Sequence, residues 1–277
     1  MPKLLSEADV ERYDRDGYHF PIRVMPREKA LAYRAKLEAY EAGTGEPIQS
    51  NMRHKVHLLF GWANELVRHP TILDAVEDII GPNILCWATN FFIKEANDPG
   101  FVSWHQDATY WGLQPNDVIT AWLAMSDAPV ESGAMKFVPG SHKWEQLPHK
   151  DTFHENNLLS RGQEIEVEVD DSQGEFVPLQ AGEISLHHVK LVHGSAPNST
   201  DDRRIGLAIR YIPTTVRQIN MRDSAMLVRG HDEYGHFDPE PDPVHDLDAA
   251  ALAAHADAMG RMVQGLYKGT DKTEFRA

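Results

Sequence analysis

Residues 102–126 read VSWHQDATYWGLQPNDVITAWLAMS. In the middle of the first half, His105 and Asp107 stand two positions apart between two apolar runs. The run before them covers 84–96 and ends in the turn Asn97-Asp98-Pro99-Gly100; the run after covers 118–126. Both have the length and the β-branched and aromatic content of strands. Side chains at i and i+2 of a strand point the same way, so His105 and Asp107 are expected to project together into a barrel interior.

Working outward, further short strands are expected at 134–138, 165–169, 183–188 and 205–212. Turns at Glu131-Ser132-Gly133, Pro139-Gly140-Ser141 and Ala181-Gly182 separate them. Ahead of this β-rich stretch lie helix signals. Ser6 caps a first helix with Asp9 three residues on, and Asp16-Gly17 stops it. Further helices are expected at 27–41, ending at Gly43, and at 61–68 and 71–80, with Gly81-Pro82 closing the last. Residues 229–246 read as loop, and the Ala-rich 247–267 as a closing helix. The result is a mainly β chain with flanking helices, a sandwich or jelly roll. No linker divides it, so one domain over 1–277 is expected, with N-terminal helices in 4–80, the β core at 84–213 and the C-terminal helix at 247–267.

The chain has 277 residues, a net charge of −15 and one cysteine, Cys86. So acidic a surface repels phosphate backbones and anionic lipid, which argues against nucleic-acid and membrane partners and for a small-molecule substrate. A lone thiol forms no internal disulfide and suits a reducing compartment. The first residues lack a signal-peptide core and no apolar run approaches a bilayer's width. A cytoplasmic protein is expected; nothing in the sequence sets its oligomeric state.

A histidine two residues before a carboxylate is a cheap pattern. With 15 histidines, about two matches are expected by composition alone. The chain holds five, starting at His105, His149, His231, His236 and His255. Context separates them. His255 and Asp257 lie in an expected helix, where residues two apart diverge. The pairs at 231–238 lie in a Gly/Pro-rich loop, and His149-Lys150-Asp151 follows Pro148 without strand alternation. These four read as surface histidines.

His105 and Asp107 need a third ligand from a distant strand. The histidines downstream are His142, His149, His154, His187, His188 and His193; the last follows a turn and strand, 182–186, and precedes Gly194-Ser195. Two imidazoles and one carboxylate on one face leave three positions open, the facial triad of non-haem Fe(II) oxygenases. Eleven residues beyond His193 comes Arg204. Along Arg204-Ile205-Gly206-Leu207-Ala208-Ile209-Arg210-Tyr211, one face is apolar; the other is Arg204, Gly206, Ala208 and Arg210. Small residues between arginines suit a cavity wall, where a guanidinium can grip a carboxylate in a bidentate fashion. A solvent-facing sheet surface is the alternative.

At this point the chain resembles the phytanoyl-CoA dioxygenase family over roughly 4–213. The stretches that carry the likeness are Trp104-His105-Gln106-Asp107, Thr120-Ala121-Trp122-Leu123-Ala124, Ser132-Gly133-Ala134-Met135, Pro139-Gly140-Ser141-His142, and His193-Gly194-Ser195 with Pro197-Asn198 before Arg204. The opening Leu4-Ser6-Glu7 to Asp16-Gly17-Tyr18 also resembles the family's start. The resemblance implies a double-stranded β-helix, jelly-roll and cupin-like, holding Fe(II) on His105, Asp107 and His193. It implies Arg204 and Ser195 at the distal carboxylate of 2-oxoglutarate, with Gln106 and Trp122 near that cosubstrate. With O2, such a site couples decarboxylation to succinate and CO2 with oxidation of an unactivated C–H bond. Halogenating relatives replace the ligand carboxylate by a small residue, so Asp107 implies hydroxylation.

Asn90, Phe92, Tyr110, Trp111 and Arg210 flank the ligand segment or share its expected face and are the candidate substrate contacts. Arg53-His54-Lys55-Val56-His57 is a local basic patch that meets an anionic substrate or forms a solvated turn. A small metabolite or natural-product intermediate suits the chain better than a CoA thioester, which needs more basic surface. Two other classes stay open: a metal-dependent cupin-like enzyme that does not use 2-oxoglutarate, and a non-catalytic binding protein on the same fold.

Overall fold

The computed structural model describes residues 2–267 together with Asp271 and Phe275. Its centre is a pair of sheets. The labels used below are β1 Tyr18–Arg23, β2 Ile84–Lys94, β3 Val102–His105, β4 Ile119–Ala124, β5 Met135–Phe137, β6 Glu175–Val177, β7 Glu183–His188, β8 His193–Ser195, β9 Arg204–Pro213, β10 Ser224–Arg229 and β11 Asp238–Pro239. The large sheet runs β1-β7-β4-β9-β2-β10-β11 and the small one β3-β8-β5-β6. Every neighbouring pair is antiparallel except β10 and β11. Trp122 and Ala208 of the large sheet pack with Met135, Phe137 and Val177 of the small one, so the two sheets face each other as a jelly roll.

Strand β9 shows how the sequence sets the two faces. Ile205, Leu207, Ile209 and Tyr211 belong to the core between the large sheet and the helices. Arg204, Gly206, Ala208 and Arg210 take the inner face, as the alternation predicts. The helices that cover the outer face are α1 Glu7–Asp16, α2 Arg27–Thr44, α3 Gly61–Val67 and α4 Pro70–Ile80; a one-turn helix, α5 Ala108–Trp111, and the C-terminal α6 Ala249–Leu266 come later. Leu37, Leu66 and Ile72 are completely buried there, and each is worth about 2–5 kcal/mol against alanine.

Helix boundaries follow local chemistry. The Ser6–Asp9 capping box starts α1, and Gly17 ends it in the left-handed region at φ 86°. Helix α2 passes through Gly43 and ends at Gly45 (φ 77°) instead of where the sequence suggested. The Thr44 hydroxyl donates to carbonyls of the last turn, which carries the helix past the first glycine. The strand expected at 165–169 also shifts: the paired segment is Gln163–Ile165, against His149–Asp151. Val167 is exposed, so its alternation has no sheet face to bury. Strand β1 carries Pro21 and so lacks a strand signature in the sequence; at the sheet edge the missing N–H costs no ladder bond.

Residues 229–246 are not only loop. Glu240, just past β11, enters a buried cluster with Lys55 and His57. Lys55 also donates to the Ser224 carbonyl (3.0 Å), and His57 bridges Glu240 and the Thr89 hydroxyl at 2.9 Å each. Burial alone would raise the Glu240 carboxyl, but Lys55 and His57 outweigh it and hold it at about 2. A carboxyl depressed from 4.5 contributes stability above that value and loses it as pH falls toward 2. The loss is on the order of 3 kcal/mol. Urea melts between pH 5 and pH 2 should show this decline, and Glu240→Gln should flatten it; an unchanged slope in the variant counts against the assignment.

Candidate active site

Strands β3 and β8 are antiparallel neighbours, and His105 sits directly opposite His193. Cross-strand partners project to the same face, so the two rings lie 4.1 Å apart between centroids. Nδ1 of His105 donates to the carbonyls of Ser103 (2.9 Å) and His193 (3.0 Å); Nδ1 of His193 donates to Leu191 (2.9 Å). Those bonds fix both tautomers and leave each Nε2 with its lone pair directed away from the backbone.

Asp107 reaches the pair by a different route from the one strand alternation suggests. Strand β3 stops at His105, and Asp107 is the helical-angled residue (φ −62°, ψ −32°) before α5. The chain turns at Gln106 and returns the carboxylate to 3.3 Å from His105 Nε2. One ligand atom from each of the three residues lies within 4.8 Å of the others, and all three residues are buried. Burial would raise the Asp107 carboxyl; the contact with His105 and the charge of His193 outweigh it and hold it well below the ordinary range. Burial, then His105, lowers the His193 imidazole to about 4, so it is neutral and available as a ligand at neutral pH.

Two cavities meet at this trio. The inner one, about 400 Å³ including its mouth, is lined by Thr120, Trp122, Met135, His187, Ser195 and Arg204 among others. Arg204 is 2% exposed, stacks over the Trp122 ring at 5.2 Å and donates to the Gly133 carbonyl at 2.5 Å. Its Nε has no partner, nor do Thr120 Oγ1 and His187 Nδ1. Ser195 Oγ accepts from Lys94 Nζ at 2.8 Å. Burial, then Arg204, lowers Lys94 to about 6. Buried donors without acceptors are costly unless a ligand completes them, and an anionic ligand with several oxygens fits this set.

The outer cavity, about 790 Å³ including its mouth, is lined by Asn90, Phe92, Tyr110, Trp111 and Arg210, all five sequence candidates, and by Trp87, Asp223, Arg53 and His54. Met262 and Leu266 of α6 cover one side. Phe92, Asp107 and Arg210 line both cavities.

Gln106 is the exception among the sequence candidates. Its amide donates to Lys190 O (2.9 Å) and accepts from Gln146 (3.0 Å) and Leu147 N (2.8 Å), so it braces the turn and lines neither cavity. The other His-x-acid pairs hold no cluster among the described residues, yet two are not surface histidines. His149 Nε2 accepts from the Gln106 amide at 3.0 Å, and buried His255 donates to His54 O at 2.9 Å. The solvated-turn reading of 53–57 also fails: Lys55, Val56 and His57 are fully buried. Lys94 was discoverable, since it continues the alternation of Asn90 and Phe92; His187, Asp223 and the α6 residues had no local signal.

The profile of the family described as "Phytanoyl-CoA dioxygenase (PhyH)" matches residues 2–206. A solved structure of the non-heme monooxygenase ThoJ in its apo form is 36% identical, covers 93% of this chain and 96% of its own, and superposes with a TM-score of 0.82. The probable alpha-ketoglutarate-dependent hypophosphite dioxygenase of Stutzerimonas stutzeri is 32% identical over 157 residues, 56% of this chain and 54% of its own length. The peroxisomal phytanoyl-CoA dioxygenase of Homo sapiens is 27% identical over 234 residues, 81% of this chain and 68% of its own. The chain thus spans about half to two thirds of the length of these two relatives. A family profile that runs from the first helix through the ligand strands to Gly206 on the arginine strand means that the chain belongs to the phytanoyl-CoA dioxygenase family.

Proposed function

We propose that this chain is an Fe(II)- and 2-oxoglutarate-dependent oxygenase. Its reaction is hydroxylation of an unactivated C–H bond in a small metabolite or natural-product intermediate, on a single domain. The observation that carries the reading is the position of His105, Asp107 and His193 at the junction of two cavities, the inner one holding an incompletely bonded arginine. Family membership and the names of the Stutzerimonas and ThoJ relatives support it.

In this reading the two imidazoles and the Asp107 carboxylate hold ferrous iron, and Arg204 with Ser195 and Trp122 holds 2-oxoglutarate in the inner cavity. Bound iron supplies the dioxygen chemistry that couples decarboxylation of 2-oxoglutarate to oxidation of substrate. The protein's share is position and dryness. Carbonyls of Ser103, Leu191 and His193 orient the imidazoles; Gly133 and Trp122 aim Arg204; Lys94 orients the Ser195 hydroxyl. Asn90, Phe92, Tyr110, Trp111 and Arg210 form the substrate side, where aromatic walls exclude water. The retained carboxylate of Asp107 favours hydroxylation over halogen transfer.

The direct test is anaerobic addition of Fe(II), then 2-oxoglutarate, to the metal-free protein. A weak visible charge-transfer band is expected. Its absence sinks the proposal and leaves the 2-oxoglutarate-independent or non-catalytic readings. Succinate release across a substrate panel then addresses specificity.

Gly206 gives a second handle. A Cβ there would fall 1.9 Å from the Trp122 ring. Gly206→Ala therefore displaces the indole that stacks on Arg204. The expected cost is about 1–3 kcal/mol in a urea melt, with 2-oxoglutarate affinity weakened about tenfold by calorimetry. Unchanged cosubstrate affinity would remove Trp122 from the site.

A further inference from the structure

The outer cavity contains a charge arrangement that the proposed chemistry does not use. Among the described residues, Arg53 and Arg210 are the non-exposed arginines with no hydrogen-bond or ion-pair partner, and both line this cavity. Arg210 is 7% exposed. Its position on β9 faces Ala88 and Thr120 across the sheet, which offer it no carboxylate. Arg261 lines the same cavity but is neutralised by Asp238 and Asp257. His54 lines the same cavity, and its Nε2 is also buried and unpartnered. Burial, then the charges of Arg53 and Arg210, drives its imidazole well below the ordinary value.

The negative groups nearby are already committed. Asp223 accepts from Trp87 Nε1 (2.7 Å) and the Ser224 amide (2.8 Å). Asp107 is a metal ligand in the reading above. What remains is the buried guanidinium of Arg210, the partly buried one of Arg53 and the His54 imidazole, all lining the cavity. The other walls are aromatic: Trp87 and Trp111 lie 5.1 Å apart, and Arg210 stacks over Trp111 at 5.2 Å and Phe92 at 5.8 Å. An unpaired buried cation such as Arg210 is costly, and with the partly buried, equally unpaired Arg53 lining the same cavity it calls for an anionic ligand.

Resting on the oxygenase reading, we infer that the substrate of the outer cavity is a small molecule with a flat or alicyclic body and an oxyanion, its anion held by Arg53 and Arg210 and its body packed against the Trp87–Trp111 indole pair. The oxyanion is a carboxylate or a phosphonate-type group; planar guanidinium matches either in bidentate geometry. Asp107 and Arg210 share the cavity junction, so an anion held there tethers the body beside the metal trio.

The test uses the full-length, metal-free protein and three probes of one shape: benzoate, phenylphosphonate and the neutral benzamide. Calorimetry should show at least one anion bound about tenfold more tightly than benzamide, and which one identifies the oxyanion. Arg53→Met and Arg210→Met should each reduce that preference about threefold or more and the double variant should abolish it. Arg210→Lys should keep part of it. Arg204→Met should leave it intact, because Arg204 belongs to the inner cavity. Arg210 has no hydrogen-bond or ion-pair partner to lose and Met keeps apolar contact with Phe92 and Trp111, so Arg210→Met should melt close to wild type, which separates lost binding from lost folding. If that variant fails to fold, Arg53→Met and Arg210→Lys decide the matter alone. No preference in wild type, a preference that survives the double variant, or one lost with Arg204→Met overturns the inference. A parallel cobalt(II) titration reads the His-Asp-His trio by its visible spectrum. Bound cobalt without an anion preference retires only this inference; an anion preference without cobalt binding retires the oxygenase reading.

Discussion

Asp107→Ala is expected to abolish turnover and to weaken Fe(II) or Co(II) binding by about a hundredfold or more. Loss of an outer-shell partner alone costs 10–100-fold, and Asp107 is the only carboxylate in the trio. Its removal leaves His105 and His193 as two neutral imidazoles with no anionic charge to offset a dication. The fold should survive. Asp107 lies outside the strand, at the start of a one-turn helix, and donates nothing to a sheet ladder. Because His105 and His193 hold this carboxylate ionised in the metal-free protein, the variant should melt somewhat lower than wild type while still unfolding cooperatively. Cobalt titration with visible spectroscopy, beside a melt, checks both halves. Wild-type-like metal affinity in a folded variant would mean that the trio is not the metal site.

The second large effect is expected at Arg204. Arg204→Met should raise the dissociation constant for 2-oxoglutarate by two to three orders of magnitude, about 3–4 kcal/mol, the range for removing one partner of a buried charge pair. Metal affinity should stay within about threefold, because Arg204 is not among the three ligand residues. Arg204→Lys should rescue poorly. The guanidinium stacks on Trp122 while it donates to Gly133, a combination a single ammonium cannot reproduce. Calorimetry with 2-oxoglutarate and, separately, with cobalt(II) discriminates. Equal losses of both ligands would place Arg204 in general scaffolding.

The inner face of β9 was legible because a strand alternates and its sequence does too: arginines and small residues on one side, aliphatics on the other. The ligand trio was legible for a different reason. Five His-x-acid pairs compete, and the one that the fold brings together with a third histidine is preceded by strand and turn and followed by a distant histidine on another strand. The route by which Asp107 joins is not legible in the sequence, because periodicity says nothing about where a strand stops. The family resemblance implies Gln106 at the cosubstrate, yet its amide is consumed by Lys190, Gln146 and Leu147. The patch at 53–57 shows the limit most clearly. A run of basic residues has no intrinsic solvent exposure; here Glu240, almost two hundred positions away, supplies the counter-charge that lets Lys55 and His57 be buried. Charge compensation across such distances leaves no trace in local pattern, and the same holds for the α6 side chains over the outer cavity.

The pairing of His105 with His193 has a consequence for how the small sheet behaves. The two residues are one rung of its ladder, and His105 Nδ1 is bonded to the backbone of both strands. Opening that rung separates both imidazoles at once, so a metal ion held by them acts as a rivet on the β3–β8 seam. At an ion concentration a hundred times its dissociation constant, the seam gains about 2.7 kcal/mol against any opening that releases the ion. Amide hydrogens of β3 and β8 should then exchange roughly a hundredfold more slowly in the loaded protein, while those at the β1 edge of the large sheet keep their rates. Occupancy of the trio becomes readable from backbone exchange alone, with no substrate and no turnover.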